Sequence, residues 1–190
     1  MKTILHLCSD TGSDSKPYKD AGYCVVLIGE KEDVRKLKPI PNVYGIIANP
    51  PCTHLAGSGA RWWKEKGEQA LYDGLALVDA CCRQILFSRP KFWMLENPVG
   101  RLTNYLGPPR MYYQPWEYGD PYTKKTCLWG NFNIPKKNPC KPTVDSLAGH
   151  SKVERCFPSK MHLLPPSANR QKLRSIAPFG FVEAFYEANK

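Results

Sequence analysis

The sequence predicts the α/β class, with a doubly wound, mostly parallel sheet formed by the first 106 of its 190 residues. Short apolar runs typical of buried strands alternate there with segments of helical periodicity. Two of these runs lead directly into residues that carry chemistry, Asn49-Pro50-Pro51-Cys52 and Glu96-Asn97-Pro98. Ligands of open α/β sheets bind at the carboxyl ends of the strands, so both groups are predicted at the ligand-binding edge.

The elements of this first part follow from the pattern in chain order. The long helix is indicated by apolar residues on one stripe, among them Leu71, Leu75 and Val78. The alternation of strands and helices implies right-handed crossovers between parallel strands. The predicted elements are a strand over Thr3–Leu7, a turn over Cys8–Ser13, a short helix around Asp14–Ala21, a strand over Tyr23–Ile28, a charged connection over Gly29–Lys38, a strand over Val43–Ala48, a helix from about Glu65 to Ser88, a strand over Phe92–Leu95 and a helix near Val99–Leu106.

The texture of the chain changes at Gly107, where prolines become frequent and apolar runs become short. We predict one further strand over Thr126–Trp129 and a closing helix over Phe179–Asn189. A chain of 190 residues is too short for two ordinary domains. One domain is therefore expected, with an α/β core over 1–106, a proline-rich basic region over 107–178 and the closing helix over 179–190.

The net charge of +10 is concentrated in one third of the chain. Residues 121–180 contain eleven Lys and Arg against two acids, and aromatic residues lie between them. A basic segment with interspersed aromatics is typical of polyanion binding, and nucleic acid is the first candidate. A solvated basic surface without a partner is the alternative.

The cysteines and the hydropathy favour a cytoplasmic protein with free thiols. No apolar stretch approaches the roughly 18–20 residues of a membrane span, and the first apolar run is broken too early for a signal peptide. None of the eight cysteines forms a C-x-x-C pair, so no metal is expected. A loose zinc set in the last third is the alternative: Cys140, His150, Cys156 and His162.

Cys52 and Glu96 together indicate covalent chemistry on an electron-poor ring. The two prolines before Cys52 favour a presented thiol, and a helix dipole or a cation such as Arg61 is expected to lower its pKa. Glu96 follows a buried strand, where a carboxyl group is costly unless it has a partner or a raised pKa. A protonated Glu96 can donate to a ring nitrogen. The structural alternatives are a buried apolar cysteine and a capping or salt-bridged glutamate.

The first turn is the third candidate site, because small and polar residues there let backbone N–H groups and a helix N-terminus face a ligand. An ordinary strand-to-helix loop has the same composition, so both interpretations stand. The turn comprises Cys8, Ser9, Asp10, Thr11, Gly12 and Ser13.

These motifs resemble those of the cytosine-carbon-5 DNA methyltransferases. Pro51-Cys52 resembles the Pro-Cys motif of that family, Glu96-Asn97-Pro98 its Glu-Asn-Val motif, and the first turn its glycine-rich S-adenosylmethionine loop. The chain also resembles a compact, phage-type branch without a full target-recognition domain, through residues 96–102, 115–126 and 178–181. The resemblance implies a Rossmann-like, S-adenosylmethionine-dependent methyltransferase fold, with a reduced recognition segment in the proline-rich region.

The resemblance also implies a reaction and a set of site residues. Cys52 would add to carbon 6 of a cytosine flipped out of DNA while Glu96, with Asn97 beside it, holds ring nitrogen 3. The methyl group of S-adenosylmethionine would then pass to carbon 5. The cations proposed for the cytosine carbonyl are Arg61, Lys124 and Lys125, and the residues proposed for the cofactor are Cys8, Ser9, Asp10, Thr11, Gly12, Ser13, Glu30, Asp33 and Pro51.

Two departures from the family pattern keep other functions open. Asp10 stands where the family loop has a glycine, and Gly29 stands where an acid for the ribose hydroxyls is expected. Glu30 is then the substitute acid, and Asp33 resembles the acid on the adenine side. A different cofactor, a free cytosine nucleotide as substrate, and a catalytically silent nucleic-acid-binding module remain alternatives. An amino methyltransferase fits less well, because such sites place an aromatic residue where Cys52 stands.

Overall fold

A six-stranded sheet with the order β2-β1-β3-β4-β6-β5 forms the centre of the computed structural model, which describes residues 1–141, 157–159, 164, 165, 167 and 170–190. Parallel pairing joins β1 to β2 and to β3, and β3 to β4, whereas β6 runs antiparallel to β4 and β5. The sheet confirms the predicted class. The strands are β1 (Thr3–Leu7), β2 (Cys24–Ile28), β3 (Gly45–Ala48), β4 (Phe92–Pro98), β5 (Met111–Tyr113) and β6 (Thr126–Asn131).

Helices cover both faces of the sheet, as expected for a doubly wound, Rossmann-like fold. The long helix α2 packs on one face, where Val78 and Cys81 join an apolar cluster with Leu5, Ile46 and Leu95. The helices α1 and α5 cover the other face in a second, aromatic-rich cluster. The helices are α1 (Lys16–Asp20), α2 (Trp63–Ser88), α3 (Thr103–Leu106), α4 (Arg170–Ser175) and α5 (Phe179–Asn189), with short 3-10 turns at Ser13–Ser15, Val34–Lys36, Gly57–Trp62 and Pro115–Tyr118.

The topology brings three chain segments to one level at the carboxyl edge of the sheet. The chain passes from β1 to β2 on one side and returns to β3 on the other, which makes this edge a switch point where ligands bind. Leu7 pairs with Ala48, and Ala48 pairs with Leu95. The residues that follow them, Cys8, Asn49 and Glu96, therefore begin side by side.

The sheet differs from the prediction around β4. This strand continues to Pro98 instead of ending at Leu95, because the antiparallel strand β6 pairs with its second half, with Glu96 opposite Leu128. Glu96 and Asn97 consequently lie on a paired strand and not on a loop. Strand β5 was not predicted, since a three-residue strand carries little periodicity.

The helices also differ at their ends. Helix α3 begins at Thr103, later than the predicted Val99, because Val99 and Gly100 pair with the loop after Cys52. Helix α2 begins at Trp63 and is interrupted at Gly67, whose φ of +73° lies in the region that favours glycine. Helix α4 was not predicted. The closing helix matches its predicted bounds, as α5.

The closing helix packs behind β5 and the loop that follows it. The backbone N–H of Gly180 donates to Asp120 Oδ2 at 2.8 Å, and a Cβ at position 180 would lie only 1.8 Å from the Tyr118 carbonyl oxygen. The buried ring of Phe181 stacks on Tyr113 with 3.8 Å between centroids. The last helix thus supports the segment that carries Lys124. None of the helices in the described part of the chain has the length and apolar character needed to cross a membrane.

Candidate active site

A buried histidine organises the polar groups at the carboxyl edge of β1. His6 is fully buried, with Nδ1 2.8 Å from Ser15 Oγ and Nε2 2.8 Å from Asn49 Oδ1. Burial lowers the pKa of His6, which favours the neutral imidazole. An amide oxygen can only accept, so Nε2–H donates to Asn49 and Nδ1 is the acceptor, which competes with the Gly12 carbonyl oxygen, 3.1 Å from Ser15 Oγ, for the Ser15 hydroxyl hydrogen. This arrangement fixes the orientation of the Asn49 amide.

The oriented amide of Asn49 connects two acids. Its Nδ2 group lies 3.4 Å from Glu96 Oε2 and 3.5 Å from Asp14 Oδ1. The Asp14 carboxylate belongs to the turn after β1 and is buried. Asn49 therefore links the first turn to β4. Sequence reasoning placed Asn49 in a motif but not among the site residues; the signal was a polar residue directly after a fully apolar strand.

The environment of Glu96 favours a protonated carboxyl group. Burial raises the pKa of Glu96, and the nearby negative charge of Asp14 raises it further. Lys124 and the hydrogen bond from Asn49 act in the opposite direction without reversing the shift. A raised pKa enlarges the protonated fraction of a carboxyl group at a given pH, and the protonated form can donate a hydrogen bond or a proton.

The thiol of Cys52 does not have the lowered pKa that the sequence led us to expect. Although the residue is exposed, loss of water around the thiol raises the pKa of Cys52, and the charge of Glu96 adds to this. Arg174 and Lys124 lower it in part. The predicted cation, Arg61, instead places its guanidinium 5.1 Å from the ring of Trp62. The expected lowering of the Cys52 pKa was therefore wrong, because loss of water around the thiol outweighs the cations near it.

Asn97 ties the cysteine loop to β4. The side chain is 1% exposed, and its Nδ2 group donates to the Pro50 carbonyl oxygen at 2.8 Å. Beyond Cys52, the backbone N–H of Gly57 donates to Val99 at 2.8 Å. A Cβ at Gly100 would lie 2.0 Å from the Leu55 carbonyl oxygen, so the two segments are in close contact. Cys52 is thereby held at a defined position relative to Glu96.

Removal of the Asn97 amide is expected to destabilise this connection. In Asn97→Ala, the buried Pro50 carbonyl loses its donor, and the free energy of unfolding should fall by about 1–3 kcal/mol. Urea denaturation measures the change. Asn104→Ala is the matched control, because Asn104 is exposed on α3 and should change the stability by less than about 0.5 kcal/mol. Equal stabilities of the two variants would contradict the role given to Asn97.

Of the predicted cations, Lys124 is the one that acts on both reactive groups. Its charge lowers the pKa values of Cys52 and Glu96. Gln114 Oε1 accepts from the Lys124 backbone N–H at 2.9 Å, and Lys124 Nζ donates to the Arg174 carbonyl oxygen at 3.1 Å. Lys125 lies elsewhere, with Nζ 5.2 Å from the ring centre of Tyr112. Arg174 was not identified from the sequence as a site residue, because nothing in the sequence distinguishes it from the other cations of the basic segment.

The first turn offers backbone donors to the crevice. Ser9 and Gly12 use their N–H groups within the turn, on the Ile28 carbonyl oxygen and on Ser9 Oγ. The N–H groups of Asp10 and Thr11 have no acceptor among the described residues. The Cys8 thiol lies 3.8 Å from the sulfur of Cys81, so a ligand at the turn would meet the Cys8 backbone. The turn has the free donors that an anionic or polar ligand requires.

The acids around this turn have different surroundings. Asp10 Oδ1 accepts from the Glu30 backbone N–H at 2.8 Å. Asp33 instead forms an ion pair with Arg35, with 2.9 Å between Oδ1 and Nε, and this hydrogen bond lowers the pKa of Asp33. The Glu30 side chain is exposed and has no partner within the described ranges. Asp10 and Glu30 are thus adjacent, whereas Asp33 is already paired.

The two remaining predictions concern the last third of the chain. Within the described residues, no three His, Cys, Asp or Glu side chains form a metal-binding group, and the seven cysteines there are free. Of the alternative zinc set, His150, Cys156 and His162 lie outside the described residues. Most of the proposed recognition segment also lies outside them. The single-domain organisation, the site residues and the DNA contact therefore stay predictions.

Comparison with known proteins adds little to this geometry. No family model matches the chain, and no curated protein matches it. Among solved structures, the chain is similar to the crystal structure of a "putative DNA modification methyltransferase encoded within prophage" of E. coli. The TM-score is 0.48 at 18% sequence identity, and the match covers 80% of this chain and 56% of that one. The chain thus spans little more than half the length of that structure, and so distant a likeness does not bear on the chemistry of the site.

Proposed function

We propose that this protein is a DNA-modifying methyltransferase that methylates carbon 5 of cytosine. The observation that carries the proposal is that an exposed thiol, Cys52 in the loop after β3, interacts electrostatically with an acid of raised pKa, Glu96 on β4. Asn97 connects the two segments, and Asn49 contacts the acid. A nucleophile beside a proton donor suits covalent attack on a ring that carries a basic nitrogen.

The residues have complementary roles in this chemistry. The Cys52 thiolate forms a bond to carbon 6, the double bond between carbons 5 and 6 opens, and carbon 5 becomes nucleophilic. Glu96 places its proton on ring nitrogen 3, so the ring accumulates less negative charge. When bound, S-adenosylmethionine supplies the methyl group to carbon 5. Loss of the carbon-5 proton to a base, departure of the Cys52 thiolate and return of the nitrogen-3 proton to Glu96 then restore the aromatic ring and the enzyme.

Because the pKa of Cys52 is raised, the cations Lys124 and Arg174 are needed to favour its ionised form. Both cations lower the pKa of the thiol, and Lys124 also acts on Glu96. Their positive charge favours the thiolate and would stabilise negative charge that develops on the cytosine carbonyl oxygen. Arg61 and Lys125, which contact aromatic rings elsewhere, are less suited to this task.

The first turn fits an S-adenosyl cofactor. The free N–H groups of Asp10 and Thr11 lie at the end of β1, and Gly12 has a φ of +64° that keeps the turn tight before the 3-10 segment. Residues Ser9 to Ser13 would hold the cofactor together with Pro51 and the acids near Glu30. The buried Asn97 Oδ1 atom, which has no partner among the described residues, offers a further acceptor at the edge of the site.

DNA is the substrate that the charge distribution favours. The concentration of Lys and Arg in residues 121–180 suits a phosphate backbone, and Lys124 joins that segment to the reactive pair. A target base in a duplex must leave the stack, at a cost of a few kcal/mol. The exposed position of Cys52 is compatible with such a flipped base.

Nucleoside mass spectrometry tests the proposal. The protein is incubated with S-adenosylmethionine carrying a deuterated methyl group and with duplex DNA, single-stranded DNA or free deoxycytidine monophosphate. The expected product is labelled 5-methyldeoxycytidine from DNA. Label on the exocyclic amine would indicate an amino methyltransferase, label confined to the free nucleotide would exclude DNA as substrate, and no label with salt-sensitive DNA binding would indicate a binding module. Each of these three results contradicts the proposal.

A further inference from the structure

The family pattern has a glycine at position 10 and an acid at position 29, whereas this chain has Asp10 and Gly29. A Cβ built on Gly29 would lie 2.1 Å from Asp10 Oδ1 and 3.1 Å from Asp10 Cγ. No side chain at position 29 can coexist with Asp10 in this conformation. The carboxylate that the turn after β1 carries therefore fills the space in which a side chain at the end of β2 would begin.

The end of β2 is a position with a chemical meaning in nucleotide-binding α/β units. An acid about 20 residues after the first turn accepts hydrogen bonds from ribose hydroxyls there. Ile28 is the last residue of β2 and Gly29 follows it, so this chain has a glycine at that point. The carboxylate of Asp10 reaches the same point from the loop after the neighbouring strand, β1.

One oxygen of the Asp10 carboxylate is held by a hydrogen bond, and the other is available to a ligand. Its Oδ1 atom accepts from the Glu30 backbone N–H at 2.8 Å, which anchors the group against the end of β2. Its Oδ2 atom has no partner among the residues that the structure describes, and the residue is exposed. Asp33 is engaged by Arg35, and within the described part of the chain no hydrogen bond holds the Glu30 side chain. Asp10 is thus the acid with a fixed position and a free acceptor.

We infer that Asp10 accepts the ribose hydroxyls of the cofactor in place of an acid at position 29. The inference rests on the proposed function in one respect, namely that the ligand is an S-adenosyl compound. The two departures from the family pattern then compensate for each other. Gly29 after β2 lacks the expected acid, and Asp10 after β1 supplies an acid where the pattern has a glycine. The site should therefore prefer a ribonucleoside to its deoxy analogue.

Calorimetric binding of S-adenosylhomocysteine tests this inference without requiring turnover. Asp10→Asn keeps the acceptor for Glu30 but removes the charge, and we expect the dissociation constant to rise about 10- to 100-fold. The loss should disappear with the 2′,3′-dideoxy analogue of the ligand, because the lost contact is to the hydroxyls. Glu32→Gln is the matched control; its exposed side chain has no partner among the described residues, and its affinity should be unchanged.

The exchange itself provides a rescue experiment. Asp10→Gly should weaken binding, Gly29→Asp alone should weaken it by collision with Asp10, and the double variant should regain most of the affinity. The inference is overturned if Asp10→Asn binds S-adenosylhomocysteine as tightly as the wild type does, or if the affinity of Asp10→Asn for the dideoxy analogue is also reduced. It is likewise overturned if Glu30→Gln, and not Asp10→Asn, lowers the affinity, or if the wild type does not bind S-adenosylhomocysteine. Asp10-dependent binding without any methylated cytosine would leave the inference standing and refute the proposed function.

Discussion

Replacement of Cys52 by serine is expected to lower kcat/KM for DNA methylation by about 10³-fold or more. A hydroxyl has a far higher pKa than a thiol, so no useful fraction of nucleophile remains to attack carbon 6. Cys52 is exposed, and the two side chains have nearly the same shape, so folding and S-adenosylhomocysteine affinity should be retained. Initial rates of labelled methyl incorporation into DNA measure the effect.

A matched control and a trapping experiment make this test specific. Cys24→Ser changes a free, partly buried thiol on β2, away from the carboxyl edge, and should leave the rate unchanged. DNA with fluorine at carbon 5 of cytosine should trap a covalent adduct with the wild type, because fluorine cannot leave as a proton does. An adduct that forms equally with Cys52→Ser, or full activity of that variant, would exclude Cys52 as the nucleophile.

Replacement of Glu96 by glutamine is expected to lower kcat/KM by about 10²- to 10⁴-fold and to change the shape of its pH profile. The proposed reaction requires Glu96 protonated and Cys52 ionised, although a carboxylic acid ordinarily has a lower pKa than a thiol. Wild-type kcat/KM should therefore rise up to the pKa of Glu96, remain level, and fall above the pKa of Cys52. In the variant the Glu96 requirement is gone, so activity should keep rising with pH until Cys52 is ionised.

Stability provides an independent readout for the same residue. Burial raises the pKa of Glu96 above its value in the unfolded chain, so its contribution to stability is complete at low pH and is lost as pH rises through the folded-state pKa. The glutamine variant has no such loss, and its advantage in unfolding free energy over the wild type should grow with pH. Parallel pH profiles of activity, with no divergence in stability, would contradict a protonated Glu96. Glu32→Gln again provides the control.

The raised pKa of Glu96 depends on how the polar groups around it are arranged. His6 and Asp14 are buried, and their contacts with the half-buried Asn49 orient the amide that faces Glu96. Two acids near one amide cannot both ionise without cost, and this is part of the reason that the pKa of Glu96 is raised. The raised pKa of Glu96 favours the protonated form that the proposed reaction requires.

The sequence alone was sufficient for the parts of the fold that follow from local pattern. The apolar runs located β1, β3 and the start of β4, and the apolar stripe located α2. The pattern located Pro51-Cys52 after β3, but it ended β4 at Leu95, whereas Glu96 and Asn97 lie within that strand because β6 pairs with its second half. Periodicity and strand order are properties of short segments, and such segments can be interpreted without knowledge of their neighbours.

Only the tertiary structure decided which charges meet. The sign of the Cys52 pKa shift, the choice of Lys124 and Arg174 over Arg61 and Lys125, and the exchange between Asp10 and Gly29 depend on residues from 19 to 122 positions apart in the chain. Desolvation and Coulomb interactions depend on distance in space and on burial, and neither quantity is a function of sequence spacing. The chain by itself determined which reactive groups exist and on which strands, and folding determined their protonation and their partners.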